Sequence, residues 1–518
     1  MKIHYLLKFI FSITLLCLLW FIPAFSAAQA YNSAPDPHFK YPALLESIYQ
    51  NQQGNRFWQE KSLRDEFEKQ IALLVAADLN DDLFAHYQAL QSASERQDWQ
   101  GYERIASDAL LFYIAYTEQI NKKGSEWLFA GEIDNYIRPS KKASDSFFNA
   151  YSHQERLHYL QGLLPVSIRQ SPLYHAFLSA YLTRHDHGVS AKFSTFAKPG
   201  EKLQQKDNLL TRLRISGSLP VEMQEYFEEQ AEDLYSEELQ EVIKHFQARH
   251  GLKADGIIGD NTRYWLNISH NERLRLMALN TLRMQLWPHS EGKIIRVNVP
   301  DYSMTYWEAG QKIFASKVIV GRATRKTALF SSQLDSIVFN PSWHVPLTIM
   351  REDILPDALT DKDYFKRNRY EIIANWRSKE VIETDTIQWA TITADNFPYK
   401  LRQKPGKNNA LGLYKFNTPN QYAIYLHDTP TKQLFDSQDR AYSSGCIRVQ
   451  YADKFAQLLM KKSGFSDQDY LNHRQQEDTH VVSLKKKITV QTIYQTVWVD
   501  ELGFTQFRKD IYGYDKQR

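Results

Sequence analysis

The spacing of the apolar residues changes near residue 290, and this change constrains the fold most strongly. Before it, segments such as FWQEKSLRDEFEKQIALLVAA (57–77) repeat apolar residues three and four apart, as amphipathic helices do. After it, KIIRVNVPDYSMTYWEAGQKIFASKVIVG (293–321) alternates apolar and polar residues, which predicts antiparallel strands. The fold class is therefore predicted to be multidomain α+β.

Length and composition fit several folded domains. A chain of 518 residues is too long for one ordinary core, so about two to four domains are expected. Hydrophobic residues make up 43% of the chain and charged residues 24%, which argues against long disorder. The net charge of +3 comes from acids and bases mixed along the chain, so no nucleic-acid partner is expected.

The first 30 residues have the pattern of a secretory signal peptide. Two lysines precede an apolar run at 9–25, and Ala28 and Ala30 follow in an A-x-A arrangement. A retained signal-anchor in the inner membrane is the alternative, and both interpretations predict export. Leu16 before Cys17 argues against a lipoprotein signal.

Shifts in pattern divide the rest of the chain. Strand-like sequence is expected again at 385–395, at 421–427 and in KITVQTIYQTVWVD (487–500), and a charged, more helical stretch separates these from 293–321. The predicted units are a helical scaffold (31–200), a small helical domain (201–270), a helical connector (271–289), a β-rich domain (290–500) with an inserted lid subdomain (about 346–384), and a C-terminal tail (501–518).

The small domain has a helix–turn–helix pattern. Leu239, Val242, Ile243 and Phe246 recur at helical spacing and are expected to face a core, while Gly251, Gly256 and Gly259 mark turns with positive φ. The order FQ, HGL, DG, IGDNT and LN resembles the three-helix peptidoglycan-binding domain of bacterial wall enzymes. That resemblance implies a wall glycan as a partner.

Cys446 is the only cysteine that signal cleavage would leave, since the chain has two cysteines and the other is Cys17. No disulfide can then form within one chain. An unpaired cysteine in an exported protein suggests catalysis, and a buried, inert thiol is the alternative.

Period-two alternation brings candidate catalytic residues together. In the predicted strand NQYAIYLHDTP (420–430), Tyr425 and His427 share one face; in GCIRVQ (445–450), Cys446 and Arg448 do. If the two strands are neighbours, all four side chains lie on one polar surface. The loop between them can bring the imidazole to the thiol.

The chemistry of a thiol explains why a histidine is needed. A free thiol is mostly protonated at neutral pH, so an imidazole must take its proton and later return it to the leaving amine. Asp428 is expected to point away from the His427 ring, so a backbone carbonyl is expected to orient the imidazole. The N–H groups of Gly445 and Cys446 are the expected oxyanion donors.

These residues resemble the YkuD-type L,D-transpeptidase family, whose signature is a histidine, a variable loop, and S/T-H-G-C with Arg or Asn two residues after the cysteine. The residues that match are His427, Ser443, Gly445, Cys446 and Arg448. Ser444 departs from the pattern, since many members carry histidine there. Longer segments, such as LRQKPGKNNALGLYKFNTPNQYAIYLHDTP and QFRKDIYGYD, resemble the large Gram-negative subtype with an internal peptidoglycan-binding domain, called L,D-transpeptidase D or YcbB-like.

The resemblance implies a periplasmic enzyme that acts on peptidoglycan without a metal or other cofactor. Cys446 would take up a tetrapeptide stem as a thioester, release D-alanine, and pass the stem to the diaminopimelate amine of a second stem as a 3→3 cross-link. The family also implies acylation by carbapenems. Other wall-synthesis enzymes are candidate partners.

Several candidate residues have a structural alternative. Arg448 would place substrate or pair with an acid such as Asp436 or Asp439. Ser443 and Ser444 would support the oxyanion or merely shape the turn. Tyr425, Trp343 and Asn409 are further candidates for substrate binding. The structural alternative is core packing for the two aromatic residues and a role in loop geometry for Asn409. His344 is interpreted as structural, and the HDH tripeptide His185–His187 as a solvated loop rather than a metal site.

Three other functions remain open at this point. The same chemistry would attach an outer-membrane lipoprotein to the wall or release it, or use water as a carboxypeptidase. A non-enzymatic wall-binding protein is the alternative from a different class, although the His–Cys pair argues against it. A papain-like protease lacks support, because CGSCW-type surroundings and the order of cysteine before histidine are absent.

Overall fold

The structure is a computed structural model of the full chain. It describes residues 39–51, 56–183, 191–229, 233–287, 292–361 and 363–516. The predicted signal peptide and the His185–His187 tripeptide lie outside these described residues, so the structure gives no account of either prediction.

Helices form the N-terminal part, as predicted for the helical scaffold. They are α1 (Pro42–Asn51), α2 (Lys61–Ala76), α3 (Asp81–Glu95), α4 (Trp99–Trp127), α5 (Lys141–Phe148), α6 (His153–Leu163), α7 (Val166–Arg169) and α8 (Pro172–Leu182). Residues 105–116 of α4 are all buried, so this helix lies at the centre and the others pack around it. Within the described ranges, no helix is long and apolar enough to span a membrane.

The small domain contains α9 (Lys206–Ile215), α10 (Val221–Glu229), α11 (Glu237–Arg249) and α12 (Asp260–Leu266). Three of these are the expected helices, and α10 occupies the long link between the first and the second. The four apolar residues predicted for the core of α11 are buried. Gly251 and Gly256 have φ of 65° and 76°, whereas Gly259 has φ of −94° as the N-cap of α12, so positive φ was wrongly predicted there.

The connector helix α13 (His270–Arg283) joins the helical part to the end of the chain. One hydrophobic cluster includes residues of the N-terminal helices, the small domain and α13, together with Val497 and Phe507 of the C-terminal hairpin. Arg283 is fully buried, pairs with Asp515 at 2.6 Å and donates to the Leu128 carbonyl. The C-terminal tail is therefore part of the packing between the helical and β-rich parts.

The β-rich part is built on a nine-stranded sheet of order β10-β3-β11-β9-β8-β4-β12-β1-β2, with β2 also pairing with β3. Its strands are β1 (Lys293–Asn298), β2 (Ser303–Glu308), β3 (Gln311–Gly321), β4 (Ser331–Phe339), β8 (Tyr414–Asn417), β9 (Leu426–His427), β10 (Ala441–Ser443), β11 (Ile447–Val449) and β12 (His480–Ile493). The remaining strands form two smaller sheets: β5 (Trp343–His344), β6 (Tyr370–Ile373) and β7 (Lys400–Gln403) in one, β13 (Val497–Val499) and β14 (Thr505–Phe507) in the other.

The antiparallel pairing predicted for 293–321 is confirmed by β1–β2 and β2–β3. The sheet as a whole is mixed, because β1–β12, β9–β11 and β3–β10 pair in parallel. Helices α17 (Ala452–Lys462) and α18 (Asp467–Gln475) follow β11, and α17 buries Phe455, Leu459 and Met460 in the same core as the strands.

Two predicted strands are largely wrong. Residues 385–395 contain the 3₁₀ turns Thr384–Thr386 and Trp389–Thr391 rather than a strand. In 421–427 only Leu426 and His427 are extended, because Ala423 has φ of 53° and turns the chain just before them.

The predicted insertion has its own small core. It contains α14 (Leu347–Ile349), a π-helical turn (Met350–Ile354), α15 (Leu355–Ala358) and α16 (Tyr364–Arg367), together with the sheet β5-β7-β6. Its buried cluster begins at Trp343 and ends at Leu411, separate from the core of the nine-stranded sheet. The subdomain therefore extends past both ends of the expected 346–384 range.

Candidate active site

Three neighbouring strands place a row of polar side chains on one face of the sheet. His427 on β9 lies opposite Lys415 on β8 and beside Arg448 on β11. The next residues in each strand, Phe416, Leu426 and Ile447, are fully buried in the core. Side chains alternate between faces, so Lys415, His427 and Arg448 share the face away from the core.

Cys446 lies directly before β11, on the same face as His427. The Ile447 N–H donates to the Tyr425 carbonyl at 3.1 Å, which holds this end of β11 against the turn before β9. The thiol is partly exposed and unpaired, and its Sγ lies 4.0 Å from the Ala423 carbonyl oxygen. The two segments are neighbours, which is the condition under which alternation places these side chains on one surface.

His427 is buried and is oriented by the backbone. Its Nδ1–H donates to the Asp428 carbonyl at 2.5 Å, as the sequence predicted. The Asp428 carboxylate accepts from the Leu413 N–H and pairs with Lys432, so it faces away from the imidazole. This tautomer leaves Nε2 with its lone pair.

The electrostatics keep the imidazole neutral. Burial, together with the charges of Arg448, Lys415 and Lys432, lowers the pKa of His427 to about 3, although the hydrogen bond to the Asp428 carbonyl acts in the opposite direction. At neutral pH the ring is therefore a base rather than an imidazolium.

The thiol is neutral as well. Burial raises the pKa of Cys446, while hydrogen bonding by Tyr425 and the charges of Lys415 and Arg448 oppose the rise. Among the described residues, no hydrogen bond joins the thiol to His427. The thiol must therefore turn from the Ala423 carbonyl toward Nε2 when it loses its proton, and catalytic hydrogen bonds often tighten only with substrate bound.

Ser443 shapes the turn that carries the nucleophile. Its hydroxyl donates to the Cys446 carbonyl at 2.5 Å and accepts from the Gly445 N–H at 3.1 Å. Gly445 has φ of 117°, a conformation that favours glycine. Because the Gly445 N–H is already bonded, only the Cys446 N–H of the expected oxyanion pair has no acceptor in the described part of the chain.

Ser444 connects this turn to the inserted subdomain. Its hydroxyl accepts from Arg325 Nη1 at 2.9 Å. The same guanidinium pairs with Glu352 and Asp353 in the π-helical turn of the insertion. Arg325 was not predicted as a site residue, because these contacts join three segments that are far apart along the chain.

A second network of hydrogen bonds, which was also not predicted, holds the backbone of the nucleophile turn. Thr327 is fully buried, and its hydroxyl donates to the Gly445 carbonyl at 2.8 Å. The Thr327 N–H donates to the hydroxyl of Tyr512, which itself donates to the Gly321 carbonyl at 2.7 Å. The C-terminal tail thus helps to fix the backbone of the nucleophile.

Three predicted substrate-binding residues lie at the site. Burial raises the pKa of Tyr425, and the charge of the nearby Cys446 thiolate would raise it further. Tyr425 packs against the core of the inserted subdomain, to which the largely buried Trp343 belongs. Arg448 bonds only to the Thr431 hydroxyl, at 3.3 Å, and forms no ion pair with any described acid. Its pairing with Asp436 or Asp439, the structural alternative, is therefore not observed.

Asn409 has a structural role instead of the predicted substrate contact. It is buried, its amide donates to the carbonyls of Gln403 and Lys404, and its oxygen accepts from the Leu411 N–H. His344 packs edge-on against Trp376, which fits the structural role expected for it.

Lys415 is the nearest site residue that sequence analysis overlooked. Alternation in LYKFN (413–417) could have identified it, since Tyr414 and Phe416 are the buried residues of that strand. In the described ranges, no three His, Cys, Asp or Glu side chains form a group that could hold a metal ion.

Comparison with known proteins identifies the domain that contains this site. Residues 292–476 match the family model described as "L,D-transpeptidase catalytic domain" of the YkuD family. These residues form an L,D-transpeptidase catalytic domain. Residues 213–266 of this enzyme match a second model, "Putative peptidoglycan binding domain". The two matches lie within the predicted 290–500 and 201–270 units, and their combination is consistent with the large subtype.

A similar protein covers almost the whole transpeptidase. A "Putative L,D-transpeptidase" of Haemophilus influenzae is 26% identical over 482 residues, which are 93% of this chain and 80% of the relative. The multidomain α+β prediction is confirmed, and so is the prediction of an L,D-transpeptidase enzyme.

Two solved L,D-transpeptidase structures are more distant. One, from Stackebrandtia nassauensis, is 16% identical and has a TM-score of 0.21, covering 58% of this chain and 96% of its own. The other, from Xylanimonas cellulosilytica, is 11% identical and has a TM-score of 0.17, covering 59% and 100%. Neither likeness carries an argument about this chain.

Proposed function

We propose that this L,D-transpeptidase forms 3→3 cross-links in peptidoglycan, with Cys446 as nucleophile and His427 as general base. The observation that carries the proposal is the neutral, backbone-oriented imidazole of His427 on the same sheet face as the thiol. With Nδ1 bonded to the Asp428 carbonyl, the unprotonated ring has a free lone pair on Nε2 that can accept the thiol proton as the sulfur attacks.

In the first half-reaction, Nε2 of His427 takes the thiol proton as Sγ attacks the carbonyl carbon of the third residue of a tetrapeptide stem, meso-diaminopimelate, at its L-centre. The carbonyl oxygen becomes an oxyanion, which the Cys446 N–H and the nearby positive charges stabilise. When the oxyanion collapses, the C–N bond to D-alanine breaks. His427 gives its proton to the leaving amine, and a thioester remains.

In the second half-reaction, the side-chain amine of diaminopimelate on another stem attacks the thioester. His427 takes a proton from that amine and returns it to the sulfur as the C–S bond breaks. The products are a 3→3 amide and the free thiol. The inserted subdomain lies next to the nucleophile turn through Arg325, so it is positioned to limit the access of water to the thioester.

The other modules place this chemistry at the wall. The segment 213–266 would hold glycan near the catalytic domain, and the N-terminal 30 residues would export the enzyme to the periplasm, with a retained anchor as the alternative. A carbapenem would acylate the same thiol, because its strained carbonyl takes the place of the donor carbonyl.

The test is incubation of residues 31–518 with purified disaccharide-tetrapeptides, followed by mass spectrometry. Dimers with a 3→3 bond and free D-alanine are expected from the wild type and from Tyr442→Phe, an exposed control four residues before the nucleophile. Cys446→Ala should give neither product. Cross-linking by Cys446→Ala would overturn the mechanism, and a tripeptide as the sole product would identify water as the acceptor.

A further inference from the structure

We propose that Lys415 binds the carboxylate of the D-alanine that leaves the donor stem, and so selects donors that end at that residue. The inference rests on the proposed donor, a tetrapeptide cleaved before its last residue. It adds the group that recognises the free end of that stem.

The position of Lys415 follows from strand register. Its partner across β8 and β9 is His427, and residues directly opposite in a sheet have Cβ atoms about 4.5–5.5 Å apart. The neighbouring pair, Phe416 and Leu426, is fully buried in the core. Lys415 therefore lies on the catalytic face next to the general base.

The ammonium extends from His427 toward the nucleophile. Lys415 Nζ lies 4.2 Å from the centroid of the Tyr425 ring. Tyr425 is at the level of Cys446, since its carbonyl accepts from the Ile447 N–H. The charge of Lys415 also lowers the pKa of the Cys446 thiol, which agrees with this placement.

No described acid neutralises this cation. Lys415 Nζ has no ion pair or hydrogen bond within the described ranges, although the side chain is partly buried. The nearby carboxylate of Asp428 is used by Lys432 and the Leu413 N–H. The other charged neighbours of His427, Arg448 and Lys432, are also positive. A partly buried cation whose only described partner is the Tyr425 ring is left without a counter-charge, so this arrangement favours an anionic ligand.

The proposed donor carries a negative charge close to its scissile bond. The carboxylate of its D-alanine is separated from the scissile carbonyl by only the amide nitrogen and one Cα. His427 must protonate that nitrogen, so the leaving residue lies beside the imidazole, where Lys415 is the adjacent cation. A pentapeptide stem has an uncharged amide at this point, and it would lose the ion pair.

The experiment compares two donors of equal length, a disaccharide-tetrapeptide with a free terminal carboxylate and its terminal carboxamide. The readout is the rate of thioester formation, followed by intact-protein mass spectrometry. The wild type should acylate roughly tenfold to a hundredfold faster with the carboxylate. Lys415→Met should acylate equally with both donors, and Lys415→Arg should keep the preference. Lys432→Met, a matched lysine whose charge is already paired with Asp428, should also keep it.

A second measurement needs no stem peptide. The ratio of Cys446 alkylation by iodoacetate to alkylation by iodoacetamide should be lower in Lys415→Met than in the wild type and in Lys432→Met. If Lys415→Met does not fold, Lys415→Gln takes its place. Absence of any thioester in the wild type would refute the proposed function itself. Equal rates with both donors in the wild type, a preference that persists in Lys415→Met, or an unchanged alkylation ratio would refute the role of Lys415 alone.

Discussion

The neutral imidazole of His427 predicts how the catalytic domain responds to acid. The informative change is His427→Asn, because asparagine keeps an N–H that can donate to the Asp428 carbonyl but has no titratable ring. The wild type is expected to lose more stability than this variant when the pH falls from 8 to 5. The histidine alone is responsible for the difference.

The size of the effect follows from linkage. The pKa of a histidine is 6.5 in the unfolded chain and about 3 in the folded site, so the unfolded chain binds the proton first as the pH falls. Stability due to this group is complete above about pH 6.5 and is lost as the pH falls toward 3. The two pKa values give a loss of about 2 kcal/mol at pH 5 and about 4 kcal/mol at pH 3.

Pulse proteolysis in urea can measure this difference for the catalytic domain within the whole chain. The surviving fragment that contains the whole nine-stranded sheet, from Lys293 of β1 to Ile493 of β12, is quantified for both proteins at pH 8 and at pH 5. The free energy of unfolding of the wild type should fall by about 2 kcal/mol more than that of His427→Asn. Equal losses in the two proteins would show that His427 titrates normally, and the proposed neutral base would then lose its physical support.

The contacts around the nucleophile turn and the C-terminal tail give three more predictions. Ser443→Ala removes the acceptor of the Gly445 N–H, and thioester formation is expected to slow roughly tenfold or more, measured as the rate of mass increase with a tetrapeptide donor. Thr327→Val leaves the buried Gly445 carbonyl without its donor, so urea unfolding should show a loss of about 1–3 kcal/mol, and an unchanged midpoint would contradict the role of this network. Asp515→Ala leaves Arg283 buried without its counter-charge, and calorimetry should detect a loss of about 3–5 kcal/mol, whereas an unchanged transition would mean that the ion pair does not hold the tail to α13.

The two-residue period of β-strands and the chemistry of the thiol and imidazole were sufficient to predict much of the site. Alternation placed His427 and Cys446 on one face, and the register of β9 and β11 agrees. The expected backbone carbonyl for the imidazole is that of Asp428. These predictions depend on residues close together in sequence or on a period that any strand obeys.

The failures arise where tertiary contacts override local pattern. Residues 421–425 alternate like a strand, yet the positive φ of Ala423 turns the chain and presents its carbonyl to the thiol. Asn409 is a polar loop residue beside the site in sequence, yet backbone carbonyls use its amide. Neither outcome is visible from spacing, because both depend on which backbone groups lack partners after folding.

Ser444 shows how such a contact can change the meaning of a motif position. A histidine is common there in the family, so the serine appeared as the loss of a supporting ring. In this fold the serine hydroxyl accepts from Arg325, and the guanidinium continues to Glu352 and Asp353 of the inserted subdomain. A neutral imidazole nitrogen could accept the same bond, but a histidine at this position could become charged in acid, and it would then repel the Arg325 guanidinium. Serine cannot become charged, so the hydrogen bond between the nucleophile turn and Arg325 does not depend on pH through residue 444.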